Sequence, residues 1–316
     1  MKRLPRELNR EFRVVAKEPS LTVVQGEQFQ VETEDAFDQR ITSEDQLPVA
    51  AVLGAGFRPN PAAGPVYVEG AQPGDVLVVT IHDIVVEEVG FTMIIPGEGM
   101  LGDSATYPEC RGPLTRRIEH LPGPSGTTSD GRGVFDERLS WPLRPHVGMI
   151  ATAPEDPILA GADTNGMSGV YGGNLDCRDV CKGSSIWLQV AHPGALLYLG
   201  DVHASQAAEL AGPADEVRAV VTLSCRVLPG RTIPSPRVET PDEIIQLSSY
   251  RPLDEALRHA HLWLMEWLIE DYGFAAVDAY LQFSVNPLVK MHVYRFIVSG
   301  RSEYIVGVSI AKECLH

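Results

Sequence analysis

GPVYVEGAQPGDVLVVTIHD, residues 64–83, is the stretch from which the fold prediction starts. Alternating apolar residues on both sides of a Pro-Gly pair are typical of two short strands joined by a turn. SSIWLQVAHPGALLYLGDVH, residues 184–203, aligns with it without gaps, and its Pro-Gly pair falls at the same place. A shorter copy, QGEQFQVETED, occupies residues 25–35. We interpret these stretches as a weak internal repeat, with chance resemblance as the alternative because few positions are identical.

Each copy places a polar residue nine positions after a turn glycine. The three pairs are Gly26 and Asp35, Gly74 and Asp83, and Gly194 and His203. Equal spacing from equivalent turns puts the polar side chains at equivalent strand ends. If the copies pack around one barrel or sandwich, we expect the three side chains to converge.

Glycine and proline punctuate short apolar segments throughout residues 1–240, which predicts a series of strands. Within this part, residues 97–139 are rich in Gly, Pro, Ser and Asp. That composition predicts a long surface insertion, and it leaves open whether the insertion is a lid or an interface segment.

The apolar spacing becomes helical after Tyr250, and a helix is expected between Pro252 and Gly273, which suit its first turn and its stop. The remaining predicted elements are a helix over 275–283 and strands over 291–298 and 304–310. We therefore predict an α+β chain that is mainly β. Its β-rich catalytic core of duplicated strand units, sandwich-like or barrel-like, covers residues 1–240. A helical pair and C-terminal strands in residues 241–316 pack on that core.

The chain is acidic, with 26 Lys and Arg against 42 Asp and Glu, a net charge of −16. Such a surface repels phosphate backbones and argues against nucleic-acid binding. No apolar run reaches the roughly 18 residues of a membrane span, and the N-terminus lacks the apolar segment of a secretion signal. Five cysteines are an odd count and argue against a disulfide framework. We expect a cytoplasmic protein without nucleic-acid or membrane partners.

The densest polar clusters are YGGNLDCRDV and LGDVHASQ. Asp201 and His203 lie two residues apart, share one face of a strand and are able to chelate one cation. Imidazole and carboxylate are common ligands of zinc and other divalent ions. Asn174 and Asp176 share a face in the same way. The alternative is that the Asn and Asp residues shape turns and His203 is structural, and the residues alone leave both open.

Glu69 ends an apolar strand just before a glycine, where a desolvated carboxylate would have a raised pKa and act as a general base. The alternative is a place on the wet face of an edge strand. Cys181 beside Lys182 suggests a cysteine nucleophile, but no glutamate accompanies them. No GxSxG motif and no phosphate-binding loop is present.

Four motifs, in this order and spacing, resemble the acetamidase/formamidase family: GPVYVEGAQPGDVLVVTIHDI, LRPHVGMIATAP, GVYGGNLDCRDV and HPGALLYLGDVHASQ. The resemblance extends from about residue 24 to residue 227, and more loosely to 254–260. It implies a β-rich fold, hydrolysis of short aliphatic amides to carboxylate and ammonia, a divalent metal ion, and an oligomer. The residues that fall on motif positions are Glu69, Asp83, Asn174, Asp176, Asp201 and His203.

Our first hypothesis gives each of these side chains a role. His203 and Asp201 would hold the metal ion, with zinc expected, and Asp83 and Asp176 would complete or support the ligand set. Glu69 would be the base, and Asn174 or a backbone amide of Gly172–Gly173 would steady the developing oxyanion. A homodimer is the default assembly.

One motif departs from the family pattern. The family continues past the histidine with a GDGE-like run, whereas here ASQAAELAG follows His203 and Glu209 is shifted by one place. Two alternatives to a short-amide hydrolase therefore stay open. One is a hydrolase of another C–N bond, in a larger amide or a carbamate, and the other is a catalytically silent relative that binds a ligand.

Overall fold

The computed structural model describes residues 1–8, 10–47, 54, 56–297 and 303–315. Over these residues the chain forms eighteen β-strands and two α-helices. The strands are β1 (Lys2–Leu4), β2 (Leu21–Val23), β3 (Phe29–Thr33), β4 (Ala62–Val68), β5 (Val76–Val86), β6 (Val89–Ile94), β7 (Leu114–Leu121), β8 (Arg132–Val134), β9 (Ser140–Pro142), β10 (His146–Thr152), β11 (Gly172–Asn174), β12 (Ser185–Gln189), β13 (Leu197–His203), β14 (Ala219–Leu228), β15 (Arg237–Glu239), β16 (Glu243–Tyr250), β17 (Val289–Arg295) and β18 (Tyr304–Ala311). The helices are α1 (Leu253–Tyr272) and α2 (Ala276–Val285).

These strands form three sheets. Nine strands pair in the order β1-β3-β14-β5-β12-β15-β16-β18-β17, five in the order β11-β10-β13-β4-β2, and four in the order β6-β7-β8-β9. The largest hydrophobic core combines side chains of the first two sheets, such as Val79 and Leu223 from one and Val66 and Leu199 from the other. The predicted class, mainly β and α+β overall, is confirmed.

Strand β5 is buried on both faces because successive side chains of a strand point in opposite directions. Leu77 and Val79 belong to the core between the sheets, whereas Val76 and Val78 belong to a second core on the outer face. Helix α1 covers that outer face with an apolar stripe that includes Leu264. Neither α1 nor α2, the α-helices of the described ranges, combines the length and apolar content that crossing a membrane requires.

The predicted late elements match the structure closely. Gly273 ends α1 in the left-handed conformation, with φ of 68°, as its sequence position predicts. Strands β16, β18 and β17 continue the nine-stranded sheet, so the C-terminal part extends the core sheet rather than forming its own. β17 ends at Arg295, and residue 298, the end of the predicted strand, lies outside the described residues.

The two long copies of the repeat are arranged about an approximate two-fold axis. The first copy begins as β4 in the five-stranded sheet and ends as β5 in the nine-stranded sheet, and the second begins as β12 and ends as β13 in the reverse order. Each strand pairs antiparallel with one of the other copy, β4 with β13 and β5 with β12. Equivalent strand ends therefore lie in different sheets. The expected convergence of Asp83 with His203 is corrected on this ground.

The insertion at residues 97–139 is more regular than its composition predicts. β7 and β8 lie within it and join β6 and β9 in the four-stranded sheet. Along β7, Thr115, Ile118 and His120 are buried while their neighbours are mostly exposed. The Gly- and Pro-rich stretches are thus the turns of a small antiparallel sheet.

Candidate active site and metal centre

A cavity of about 190 Å³ lies where β11 and β13 end. Its polar lining consists of Asn60, Glu98, Asn165, Asn174, Asp176, Asp201, His203, Glu209 and Glu216. Its apolar lining includes Phe37, Ile95, Pro213 and Ile297. A small pocket with convergent polar groups and a few apolar walls is typical of a site for a small polar ligand.

Asp176, Asp201 and His203 meet in this cavity. Asp201 and His203 lie on β13, and Asp176 follows β11 by two residues. All three side chains are buried, and one ligand atom from each lies within 4.8 Å of the others. Asp176 and Asp201 have φ of 48° and 53°, in the left-handed region that non-glycine residues seldom adopt. Such strain persists where the surroundings require it, as at many functional sites. This group could bind a metal ion.

The ligand group is held by amide and guanidinium donors. Asn60 donates from Nδ2 to Oδ2 of Asp201 at 2.8 Å. Asn174 satisfies its neighbours best with its amide nitrogen 2.9 Å from the same oxygen. Nη1 of Arg295 donates to the carbonyl oxygen of Asn174 at 2.7 Å and lies 3.4 Å from Oδ2 of Asp176. The two aspartates are therefore fixed in orientation.

Negative charge exceeds positive charge in the cavity. Five carboxylates, of Glu98, Asp176, Asp201, Glu209 and Glu216, line the cavity together with the imidazole of His203, and the guanidinium of Arg295 lies beside them. Oε2 of Glu209 and Oε2 of Glu216 are buried and have no hydrogen-bond partner among the described residues. Buried carboxylates require a partner charge. A divalent cation would supply it, so these residues fit a metal ion.

The distances around the His203 imidazole agree with this assignment. Its Nε2 lies 3.6 Å from Oδ1 of Asp201 and 3.4 Å from Oε2 of Glu216. Two ligands about 2.0 Å from one tetrahedral zinc ion would be about 3.3 Å apart. Glu216 is thus a neighbour of His203, while the ligand atoms that lie within 4.8 Å of one another belong to Asp176, Asp201 and His203.

The pKa values in the cavity shift as crowded negative charge requires. Burial raises the pKa of Asp201, and the Asp176 carboxylate adds to the rise. Burial raises the pKa of Glu209 and of Glu216 well above the ordinary value. Burial lowers the pKa of His203, but Glu216 and Asp201 raise it by more, and the net pKa lies well above the ordinary value. Without a cation, the charged forms of these buried carboxylates are therefore disfavoured.

A second buried imidazole, that of His146 on β10, touches His203. The two ring centroids are 4.9 Å apart in an edge-to-face arrangement. Burial, reinforced by His203, lowers the pKa of His146 to about 3, so its ring is neutral at neutral pH. His146 is outside the cavity lining.

Hydrogen bonds anchor the segment 205–216, which carries Glu209 and Glu216. Nε1 of Trp141 donates to Oγ of Ser205 at 2.8 Å, and this hydroxyl donates to Oδ2 of Asp215 at 3.3 Å. The same carboxylate oxygen lies 3.1 Å from Nε2 of buried His120. Burial lowers the pKa of His120, but Asp215 raises it by more, so the net pKa is raised.

Two predicted site residues lie away from the cavity. Glu69 is exposed in the turn after β4 and lines a separate shallow groove with Tyr67 and Pro193. Asp83 lies on β5, where Oδ1 is 2.9 Å from Nζ of Lys182. The approximate two-fold arrangement explains the position of Asp83, because it sends the equivalent strand ends to different sheets.

The third polar residue of the repeat, Asp35, also takes no part in the ligand group. It is buried beside the cavity and accepts hydrogen bonds from the backbone nitrogens of Phe37 and Gln39. Asn174, Asp176, Asp201 and His203, by contrast, all line the cavity.

Sequence reasoning missed several residues that the structure brings to this site. They are Asn60, Asn165, Glu216 and Arg295, while Glu209 was noted only as a displaced motif residue. The available signal was that two glutamates follow His203 within thirteen residues. No local pattern connects Asn60 or Arg295 with that stretch.

A β-sandwich with a buried carboxylate–imidazole group in a small cavity defines a candidate hydrolase centre. The sequence profile of the acetamidase/formamidase family matches residues 15–170 and 161–301. The chain belongs to the acetamidase/formamidase family and is thereby classed with the amidases.

Individual relatives agree with this assignment. The chain is 27% identical to an acetamidase of Mycolicibacterium smegmatis, with 84% of this chain and 82% of that protein aligned. It is also 27% identical to a putative formamidase of Schizosaccharomyces pombe over 52% of this chain, and it spans about half the length of that relative, 51%.

Solved structures of acetamidases share the fold over nearly the whole chain. The crystal structure of an acetamidase from Bacillus halodurans superposes with a TM-score of 0.85 at 30% identity, covering 99% of this chain and 98% of that one. An acetamidase from Yersinia enterocolitica superposes with a TM-score of 0.86 at 29% identity, covering 100% and 93%.

Proposed function

We propose that this protein hydrolyses a short linear amide, such as formamide or acetamide, to a carboxylate and ammonia with the help of a divalent metal ion, zinc. One observation carries the proposal: Asp176, Asp201 and His203 converge with buried, unpartnered glutamate oxygens in a small cavity of an amidase-family chain. When bound, such an ion lowers the pKa of its water to about 7 and polarises a carbonyl group.

Each polar residue around the ion has a proposed role. Asp176, Asp201 and His203 would hold the ion, and Glu216, 3.4 Å from Nε2 of His203, would complete the ligand set. Asn174 would orient Asp201, since its amide nitrogen faces that carboxylate. This role replaces the predicted oxyanion role, for which that amide nitrogen would have to be free.

We assign the base role to Glu209 rather than to Glu69. Glu209 lines the cavity, its Oε2 has no hydrogen-bond partner among the described residues, and burial raises its pKa well above the ordinary value. A carboxylate with a raised pKa is suited to accept a proton from water and return it to departing ammonia. Nε of Arg295, 3.9 Å from Oε2 of Glu209, holds the carboxylate in place. Glu69 is exposed outside the cavity and has no such access.

The size of the cavity favours a short amide over the alternatives with larger substrates. Sites for drug-sized ligands occupy about 300–1,000 Å³, whereas this cavity has about 190 Å³. Its apolar walls, Phe37, Ile95 and Ile297, would contact a short acyl chain. A larger amide or a carbamate would require these walls to move.

We also propose that the chain forms a homodimer, the commonest closed assembly. On α2, Val277, Tyr280, Leu281 and Val285 share one helix face and are 49–69% exposed. An exposed apolar stripe of this kind is typical of an interaction surface. Leu281→Glu should convert dimer to monomer in light scattering. A small amide and a second copy are then the proposed partners, and the cytoplasmic location stays a prediction.

The deciding experiment is ammonia release from formamide, acetamide and longer linear amides, with and without a chelator. We expect release that falls with chain length, stops on chelation and returns when zinc is added. Release that persists in chelator would contradict the metal mechanism. No release from any amide, combined with a rise in Tm on adding an amide, would favour the silent ligand-binding relative.

A further inference from the structure

We propose that His146 is a positioning residue: it accepts a hydrogen bond from Nδ1 of His203 and thereby keeps Nε2 of His203 free of hydrogen, as metal binding requires. The inference rests on the proposed metal centre and adds to it the residue that selects the tautomer of its only imidazole ligand. A buried chain of hydrogen bonds runs from the carbonyl oxygen of Arg144 through His146 to His203.

The chain of hydrogen bonds begins at a backbone carbonyl. Nδ1 of His146 lies 3.2 Å from the carbonyl oxygen of Arg144. A carbonyl oxygen only accepts hydrogen bonds, so Nδ1 of His146 carries the hydrogen. A neutral imidazole has a single N–H, and Nε2 of His146 therefore presents a lone pair.

That lone pair faces the candidate ligand. Nε2 of His146 lies 3.1 Å from Nδ1 of His203, and the two residues are direct cross-strand neighbours on β10 and β13. A lone pair accepts only from a donor, so Nδ1 of His203 carries its hydrogen. When the His203 ring is neutral, as in a metal complex, the nitrogen without hydrogen is then Nε2, which faces Asp201 and Glu216.

The side-chain amide of Gln206 contacts the same nitrogen of His146. Its amide lies 3.0 Å from Nε2 of His146 with the oxygen facing the ring, and in that orientation its buried nitrogen has no partner. Turning the amide half a turn gives the nitrogen a partner, which is the arrangement expected of a buried donor. In that orientation Gln206 and Nδ1 of His203 share the one lone pair of His146 in a three-centre hydrogen bond.

Without this acceptor, His203 would favour the opposite tautomer. Its Nε2 faces two carboxylates that only accept, at 3.4 Å and 3.6 Å. These would attract a hydrogen onto Nε2 and block the position that a metal ion needs. Partners on the outer nitrogen of a ligand histidine generally set its tautomer, and losing them costs about 10–100-fold in metal affinity. Here the outer partner is a neutral histidine rather than the usual carboxylate or carbonyl.

The test is zinc affinity, measured by competition with a chromophoric chelator on the full chain. Gln and Met have similar length and differ in their ability to accept a hydrogen bond. We expect His146→Met to weaken zinc binding by about 10–100-fold and His146→Gln to stay within about threefold of the original protein. His192→Met serves as the control, because the His192 ring contacts the carbonyl oxygen of Pro154, away from the cavity.

The outcomes separate this inference from the proposed function. If the original chain binds neither zinc nor cobalt, the proposed metal centre fails first. If it binds zinc and both His146 variants bind equally well, or equally poorly, the acceptor role is overturned. Should His146→Met not fold, His146→Asn replaces it, since its shorter amide is polar but does not reach Nδ1 of His203. That variant is expected to show the same loss of zinc and an altered visible spectrum with cobalt.

Discussion

The internal repeat makes two strand ends equivalent, one at Asp83 and one at Asp201 and His203. The two ends differ in burial and in the balance of charge. At one end, the side chain of Asp83 is 34% exposed and its charge is balanced by Lys182. At the other, the side chains of Asp201 and His203 are 3% and 2% exposed, among carboxylates that outnumber the cations. Both ends follow a turn glycine in the left-handed conformation, Gly74 or Gly194. Equivalent local sequence thus produces a salt bridge in one place and a candidate metal centre in the other.

The largest effect is expected from a substitution at the buried strand end, which carries Asp201 and His203. His203→Ala should reduce amide hydrolysis by about 10³-fold or more, because several kcal/mol of stabilisation by the metal ion disappear and each 1.36 kcal/mol is tenfold. Asp83→Asn, the matched change at the exposed end, should keep kcat/KM within about twofold, since surface ion pairs contribute little. Steady-state kinetics of both variants checks the contrast. Equal losses would restore Asp83 to the site.

A second pair of variants tests the base. Glu209→Gln should lower kcat by about 10²–10⁴-fold, the usual contribution of a general base, while zinc content stays close to that of the original protein. Glu69→Gln should leave kcat unchanged, because Glu69 lies outside the cavity. Retained activity in Glu209→Gln together with loss in Glu69→Gln would reverse the assignment.

Removal of the metal ion should lower the stability of the folded chain only where the ligand group around His203 is intact. Saturating zinc at about 100 times its Kd would stabilise the folded chain by about 2.7 kcal/mol, so chelation should lower Tm by several degrees. Asp83→Asn should show the same drop, and His203→Ala should show almost none. Thermal unfolding with and without chelator measures this. A full drop in His203→Ala would mean that the ion binds elsewhere.

The smallest expected effect concerns the anchor of the glutamate-bearing segment. The folded-state pKa of His120 is raised, so its pairing with Asp215 stabilises the fold fully below the unfolded pKa of about 6.5. This contribution is lost as pH rises through the folded pKa. His120→Gln should therefore cost most stability at the acid side of a series between about pH 5 and 8. A loss that grows instead toward alkaline pH would contradict the raised pKa.

The elements that sequence predicts well are those whose signals are local. Alternation in β5 and β14, helical spacing in α1 and the turn glycines all depend on neighbours within a few residues. The same holds for Asp201 with His203, which share a strand face. The structure places Asp176 beside Asp201 and His203, and Asp176 belongs to a motif that resembles the family.

The elements that sequence misses depend on long-range contacts. Arg295 at the end of β17 and Asn60 before β4 approach the ligand group from positions far away in the chain. Glu216 follows His203 by thirteen residues, but only the fold brings its carboxylate back to the imidazole. The regular sheet inside residues 97–139 was hidden because its turns dominate the composition.

The sequence by itself determined the β-rich class, the late helices, the family and the short-range pair Asp201 and His203, because backbone periodicity and turn chemistry act over a few residues. Only the tertiary structure decided which of the repeated strand ends is buried. Desolvation and charge balance depend on what packs around a side chain, and the approximate two-fold arrangement gives Asp83 a lysine and water. It gives His203 an enclosing cavity, two further glutamates and the imidazole of His146.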